Sequence, residues 1–183
     1  MPGNDPALRI ALEAVMREAG DLARTTARGA FRRWTKGHDN SPVSEADIAV
    51  NDLLRARLAE LMPDAGWLSE ETEDHLPGRA QAVAWIVDPI DGTRAFISGR
   101  ADWTISVALV EQGRPQLAAL YAPATEEMFL AVRGGGATLN GVAITTDSGG
   151  TLERARFAGP KRYLDKLSGL KPDILTLPKV YSL

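Results

Sequence analysis

The sequence of 183 residues contains no cysteine, so neither disulfides nor thiolate metal sites are open to it. Histidine is scarce as well, at two residues. Any metal site must therefore be built mainly from oxygen ligands, which favours Mg²⁺, Mn²⁺ or Ca²⁺. Excess charge of either sign is missing: 21 Lys and Arg stand against 24 Asp and Glu, a formal net charge of −3. Such a chain has no global field to gather a nucleic-acid polymer, and an anionic ligand must be held by a local device. Long apolar runs are absent; none approaches the roughly 20 residues that span a bilayer. The start, Met1-Pro-Gly-Asn-Asp-Pro6, has neither the basic opening nor the apolar stretch of a signal peptide. The expectation is a cytoplasmic protein without a membrane partner. What is present is ordinary globular composition, 44% hydrophobic and 25% charged. The length suits one domain, or one domain and a fragment of a second.

From about Pro6 to Phe31 apolar residues recur at Leu8, Leu12, Val15, Ala19 and Leu22, a helical spacing. Gly29 and the polar run Lys36 to Pro42 break it. Ser44 is a natural N-cap with the carboxylate of Asp47 at N3. The helix it opens carries Ile48, Leu53, Leu54, Leu58 and Leu61 on one side and stops near Pro63 to Gly66. The period then shortens. Trp67 to Ser69 and Ala82 to Val87 read as short buried strands around a polar loop from Glu71 to Arg79. Thr104 to Val110, Gln116 to Tyr121 and Met128 to Val132 have the rhythm of an antiparallel meander, and Gly134 to Gly136 opens a turn before Leu139-Asn-Gly-Val142. A strand (Arg156 to Ala158), a short helix (Lys161 to Leu167) and another strand (Ile174 to Leu177) follow. Helices, then a sheet, then further α/β elements argue for a layered α+β sandwich.

The chemistry concentrates in Trp85-Ile-Val-Asp88-Pro89-Ile90-Asp91-Gly92-Thr93-Arg94-Ala95-Phe96. A buried strand is expected to end at Val87, with two carboxylates following it. Pro89 fixes one φ and Gly92 permits a sharp turn, so Asp88 and Asp91 can be aimed at one point. Carboxylates held that close repel unless they are protonated or bridged by cations. Residues from Gly92 onward are expected to begin a short helix whose free N–H groups face the same spot, an arrangement that suits phosphate. The plainer reading is an Asp-Gly turn stabilised by capping. Against it stand the position of the cluster just past an apolar strand and a second acidic pair, Glu70-Glu71, that also follows a short strand.

Taken together these residues resemble the inositol monophosphatase superfamily of lithium-sensitive, Mg²⁺-dependent phosphatases. The segment Trp85 to Phe96 is similar to its central motif, Leu68-Ser-Glu-Glu71 to the preceding acidic motif, and Ser41-Pro-Val-Ser-Glu-Ala-Asp47 to the N-terminal one. The resemblance runs from about residue 8 to 183. It implies an α+β fold, the layered αβαβα sandwich of the sugar-phosphatase type. It also implies Mg²⁺ as cofactor, with Glu70, Asp88, Asp91 and the main-chain carbonyl of Ile90 as metal ligands. Thr93 would hydrogen-bond the activated water, with Asp47 or Glu70 taking its proton. Asp91 and the amides of Gly92 and Thr93 would grip the phosphate of a small phosphorylated metabolite. Relatives are often homodimers.

Each residue also has a structural reading. Asp47 completes a capping box, Glu71 is a solvated or outer partner, and Lys36 is a surface lysine. His38 and His75 belong to polar loops, and Trp67, Trp85 and Trp103 belong to the core. One departure is plain: no tryptophan here is followed by aspartate, whereas the family completes its metal site with a later Trp-Asp motif. The expected division is an N-terminal domain over 1–150 that carries the site and the start of a C-terminal α/β domain over 151–183, with the rest of that portion lacking. Ser69-Glu70-Glu71 and Leu120-Tyr-Ala-Pro123 resemble the branch that hydrolyses 3′-phosphoadenosine 5′-phosphate more than the inositol 1-phosphate branch. Histidinol-phosphate phosphatases share much of the same core. The alternatives are a catalytically incomplete metal- or phosphate-binding remnant and a haloacid-dehalogenase-type phosphatase. The latter spaces its carboxylates by one residue, not two.

Overall fold

The structure, a computed structural model, describes residues 5–29, 32–36, 41–71, 82–146, 155–159, 161–170 and 175–177. Helix α1 (Pro6–Arg28) is capped by Asp5, whose carboxylate accepts from the Ala7 N–H at 2.9 Å. Pro6 sits at the first helical position, where a missing N–H costs nothing. The apolar spacing buries Leu12, Val15, Met16, Ala19 and Ala23 along one stripe. In α2 (Glu45–Leu61) the buried stripe is Ala46, Val50, Leu54 and Leu58. The two helices pack side by side, and Arg57 reaches Glu18 through bonds of 2.8 and 3.0 Å. That pair is half-exposed and worth well under about 1 kcal/mol, so apolar burial holds the helices together.

Between them β1 (Arg33–Lys36) and β2 (Ser41–Ser44) pair antiparallel. The sequence suggested only an irregular break here; four-residue strands are too short to leave a period that can be read.

The main sheet has seven strands in chain order: β3 (Gly66–Ser69), β4 (Val83–Asp91), β5 (Thr104–Glu111), β6 (Arg114–Ala122), β7 (Glu127–Val132), β8 (Gly136–Leu139) and β9 (Val142–Ile144). β3 runs parallel to β4, and all later neighbours are antiparallel. The expected meander is present and extends two strands further. Asn140 and Gly141, both at positive φ (49° and 79°), make the tight β8–β9 turn that an Asn-Gly pair favours. Alternation along the strands sends Trp85, Val87, Ile105, Val107, Leu109, Leu117, Ala119, Tyr121, Met128 and Leu130 into one core with α1 and α2. The opposite face carries Ile86, Ala108 and Ala118, with Ile86 41% exposed. Separately, β10 (Arg156–Ala158) and β11 (Leu175–Leu177) pair in parallel around α4 (Lys161–Leu170). That helix continues almost a turn past the expected Leu167. Among the described residues no helix is long and apolar enough to cross a membrane.

Gly20 sets how closely α1 approaches the sheet. A Cβ there would lie 2.5 Å from Tyr121 Cε1 and 3.0 Å from Pro123 Cγ, and Tyr121 is itself buried. Gly20→Ala should cost about 1–3 kcal/mol through overpacking, outweighing the roughly 1 kcal/mol that alanine gains in helix propensity. Urea unfolding with a lower midpoint and an unchanged slope is the expected result.

Candidate active site

Strand β4 does not stop at Val87 as the sequence suggested. It runs on through Pro89 to Asp91, because its pairing with β5 is interrupted where the proline lacks an N–H. Asp88 pairs with Ser106 and Asp91 with Thr104, so three steps on β4 face two on β5. The extra residue is a bulge. In an unbroken strand, residues three apart point to opposite sides. The bulge removes that constraint, and the charge of Asp91 acts on Asp88. Gly92 then takes a left-handed conformation (φ 93°, ψ 34°) and the chain turns into α3 (Thr93–Ile97). The Gly92 carbonyl accepts from the N–H groups of Ala95 and Phe96 at 2.8 and 3.0 Å. Phe96 and Trp103, both buried, meet edge to face at 5.0 Å and anchor the turn.

Thr93 Oγ1 lies 3.1 Å from Asp47 Oδ1 and 3.0 Å from the Ile90 carbonyl oxygen. Its single proton is shared between two acceptors. Asp47 is only 1% exposed, and its other oxygen, Oδ2, accepts from the Ser44 N–H at 2.8 Å and the Ser44 hydroxyl at 2.6 Å. The capping role and the contact with Thr93 therefore coexist on different oxygens of one carboxylate. Burial raises the Asp47 pKa, and the hydrogen bonds from Ser44 and Thr93 only partly offset it.

Glu70 follows β3. The parallel pairing of Ser69 with Val87, and the Glu70 N–H directed at the Val87 carbonyl over 3.4 Å, set the Glu70-Glu71 turn beside Asp88. Asp88 is pushed up to about 7, first by burial and then by the charges of Glu70, Asp91 and Asp47, against a weaker pull from an Ile90 backbone hydrogen bond. The structure thus brings Asp47, Glu70, Asp88, Asp91 and Thr93 to one end of the sheet from α2, the β3 turn, β4 and α3. As a donor set these are hard oxygens that suit Mg²⁺, and a raised carboxylate among like charges is what a cation relieves. Among the described residues no three Asp, Glu or His side chains stand close enough to hold one ion. Ile90 keeps a second carbonyl lone pair beyond the one facing Thr93.

Asn51 escaped the sequence reading, and Ser69 figured there only as part of the acidic motif and as a cue to the substrate branch. Ser69 Oγ donates to Asn51 Oδ1 at 2.6 Å and accepts from the Glu71 N–H at 3.2 Å, and Ser69 and Asn51 are 6% and 4% exposed. The available signal was a polar residue on the buried stripe of α2, four positions after Asp47. Trp85 and Trp103 are core, as read, and Trp67 is part-buried. His38, His75 and the Lys36 side chain lie outside the described residues.

Residues 4–165 match the Inositol monophosphatase family. The chain is 38% identical over 137 residues to a histidinol-phosphatase of Chlorobaculum parvum, which covers 74% of this chain and 51% of that protein. It is 38% identical over 120 residues to the 3'(2'),5'-bisphosphate nucleotidase CysQ of Salmonella typhimurium, covering 64% and 49%. The chain thus spans about half the length of these curated relatives. The crystal structure of the extragenic suppressor protein suhB from Bartonella henselae superposes with a TM-score of 0.81 at 26% identity, covering 96% of this chain and 70% of that one.

The unfolded chain releases the Asp88 proton near 3.8, whereas the folded protein holds it up to about 7. Between those values the folded state binds more protons, so with divalent metal removed stability should fall as pH rises from about 4 to about 7. After discounting for solvent screening, the loss is on the order of 1–3 kcal/mol. Asp88→Asn should flatten that slope. Urea melts in EDTA at both pH values read it directly.

Proposed function

The chain belongs to the inositol monophosphatase family, and on that premise we propose that it hydrolyses phosphate monoesters of small metabolites in a Mg²⁺-dependent, lithium-sensitive reaction. The observation that carries the reading is the Thr93 hydroxyl lodged on Asp47 Oδ1 at a sheet end where Glu70, Asp88 and Asp91 share one electrostatic field. Glu70, Asp88, Asp91 and the Ile90 carbonyl are the groups that would hold the metal. When bound, Mg²⁺ supplies charge neutralisation for the ester phosphate and acidifies water. The Thr93 proton is directed at Asp47 and Ile90, so its lone pairs are left to accept a hydrogen bond from the attacking water. Asp47, made more basic by burial, stands behind Thr93 to receive a proton, and Glu70 is the other acceptor in reach of the cluster. The first N–H groups of α3 have no intrahelical acceptor, and those of Gly92 and Thr93, beside Asp91, would hold the phosphate. Residues 1–150 would carry this site, with 151–183 opening a second α/β unit.

The substrates we put first are 3′-phosphoadenosine 5′-phosphate and inositol 1-phosphate. Ser69, one of the cues for the former, is buried against Asn51, so it bears on how the acidic turn is held more than on direct contact with an ester. The same cluster of carboxylates would also serve a second reading, metal and phosphate binding without turnover.

Phosphate release from those two esters and from histidinol phosphate, with Mg²⁺ and with or without Li⁺, separates these readings. Turnover that needs Mg²⁺ and is suppressed by lithium is expected. Thr93→Ala should lower kcat by about 100-fold or more. Asp91→Asn should abolish turnover while leaving the melting transition in place. Metal uptake without release from any ester would favour the binding role, and a melting transition lost in Asp91→Asn would make that residue structural.

A further inference from the structure

We infer that Asn51 is a positioning residue for the metal-binding turn, acting through Ser69. The inference rests on the proposed role of Glu70 as a metal ligand. The turn that carries Glu70 and Glu71 leaves β3 and is tied down on two sides. On one side the Glu70 N–H faces the Val87 carbonyl, the residue just before Asp88. On the other, the Ser69 hydroxyl donates to Asn51 Oδ1 at 2.6 Å and accepts from the Glu71 N–H at 3.2 Å. That hydroxyl has its proton and a lone pair both committed, so its orientation is fixed and the turn is fixed with it.

Asn51 is the only link in this chain of contacts that belongs to α2. It lies four residues after Asp47, about one helical turn, on the same buried stripe. α2 therefore presents two polar groups toward the sheet end: Asp47 takes Thr93 from α3, and Asn51 takes Ser69 from β3. The spacing between Glu70 and the Asp47–Thr93 pair is set by one helix. Without the Asn51 acceptor the Ser69 hydroxyl is buried with its proton unsatisfied, a cost that is relieved by moving the turn. A ligand carried on a turn that moves is a weaker ligand: groups that orient metal ligands from outside typically carry about 10–100-fold in metal affinity.

The test is Mn²⁺ binding to the full chain, measured by titration calorimetry and by electron paramagnetic resonance, for Asn51→Ala, Ser69→Ala and the double variant. Gly20→Ala serves as a destabilised control whose lesion lies at the contact of α1 with β6. The expected result is a roughly tenfold weaker Mn²⁺ affinity in each single variant, no further loss in the double variant, and unchanged affinity in Gly20→Ala. In phosphate release, kcat at saturating Mg²⁺ should hold while the half-saturating Mg²⁺ concentration rises. Unchanged Mn²⁺ affinity in Asn51→Ala, or equal weakening in Gly20→Ala, overturns the positioning role and leaves the proposed function standing. A wild-type chain that takes up no Mn²⁺ overturns both.

Discussion

Like charges crowded at one end of a sheet are the constraint around which this molecule is arranged. Asp88 sits in the combined field of Glu70, Asp91 and Asp47 while partly withdrawn from water, and its proton is held up to about pH 7 as a result. No local stretch of chain would adopt such an arrangement by itself. It persists because each carboxylate is delivered by an element whose position is decided elsewhere. α2 is fixed by its apolar stripe against α1 and the sheet, β4 by pairing on both edges, and the β3 turn by parallel pairing to β4. Apolar burial over the whole core opposes an electrostatic cost concentrated at a few atoms.

The hydrogen bonds at the site are of a different kind from those that hold the sheet together. Asp47 is shared between the cap of its own helix and Thr93 of α3, one oxygen for each. A single carboxylate thus couples the start of α2 to the start of α3, and the group that stiffens the helix also polarises the hydroxyl facing the cluster. On the proposed mechanism, stability and chemistry draw on the same side chain.

Much of this was legible in the sequence, for identifiable reasons. α1 and α2 announce themselves by apolar spacing and by Gly29 and Ser44 at their ends. The Asp88 to Thr93 segment is recognisable because proline, glycine and paired carboxylates are an unusual combination. The misreadings have physical causes. A strand was expected to end before Asp88, because Pro89 cannot join a regular ladder, yet a bulge lets the strand continue through it. β1, β2, β8 and β9 are too short for their alternation to stand out. Capping by Asp47 looked like an alternative to a place at the site, since a sequence cannot show that a carboxylate has two oxygens facing different partners. Asn51 belongs to no motif, and only the packing of α2 beside β3 brings it to Ser69.

The bulge between Asp88 and Asp91 also bears on how this segment can change over generations. Replacing one side chain around it acts first at that position. A gain or loss of a single residue between positions 88 and 91 is different in kind, because it would reverse the side of the strand on which everything beyond it emerges. Asp91, Gly92 and the entry to α3 would all be turned together. The length of the segment, and with it the frame in which its side chains leave the sheet, is the part of its design with no partial substitute.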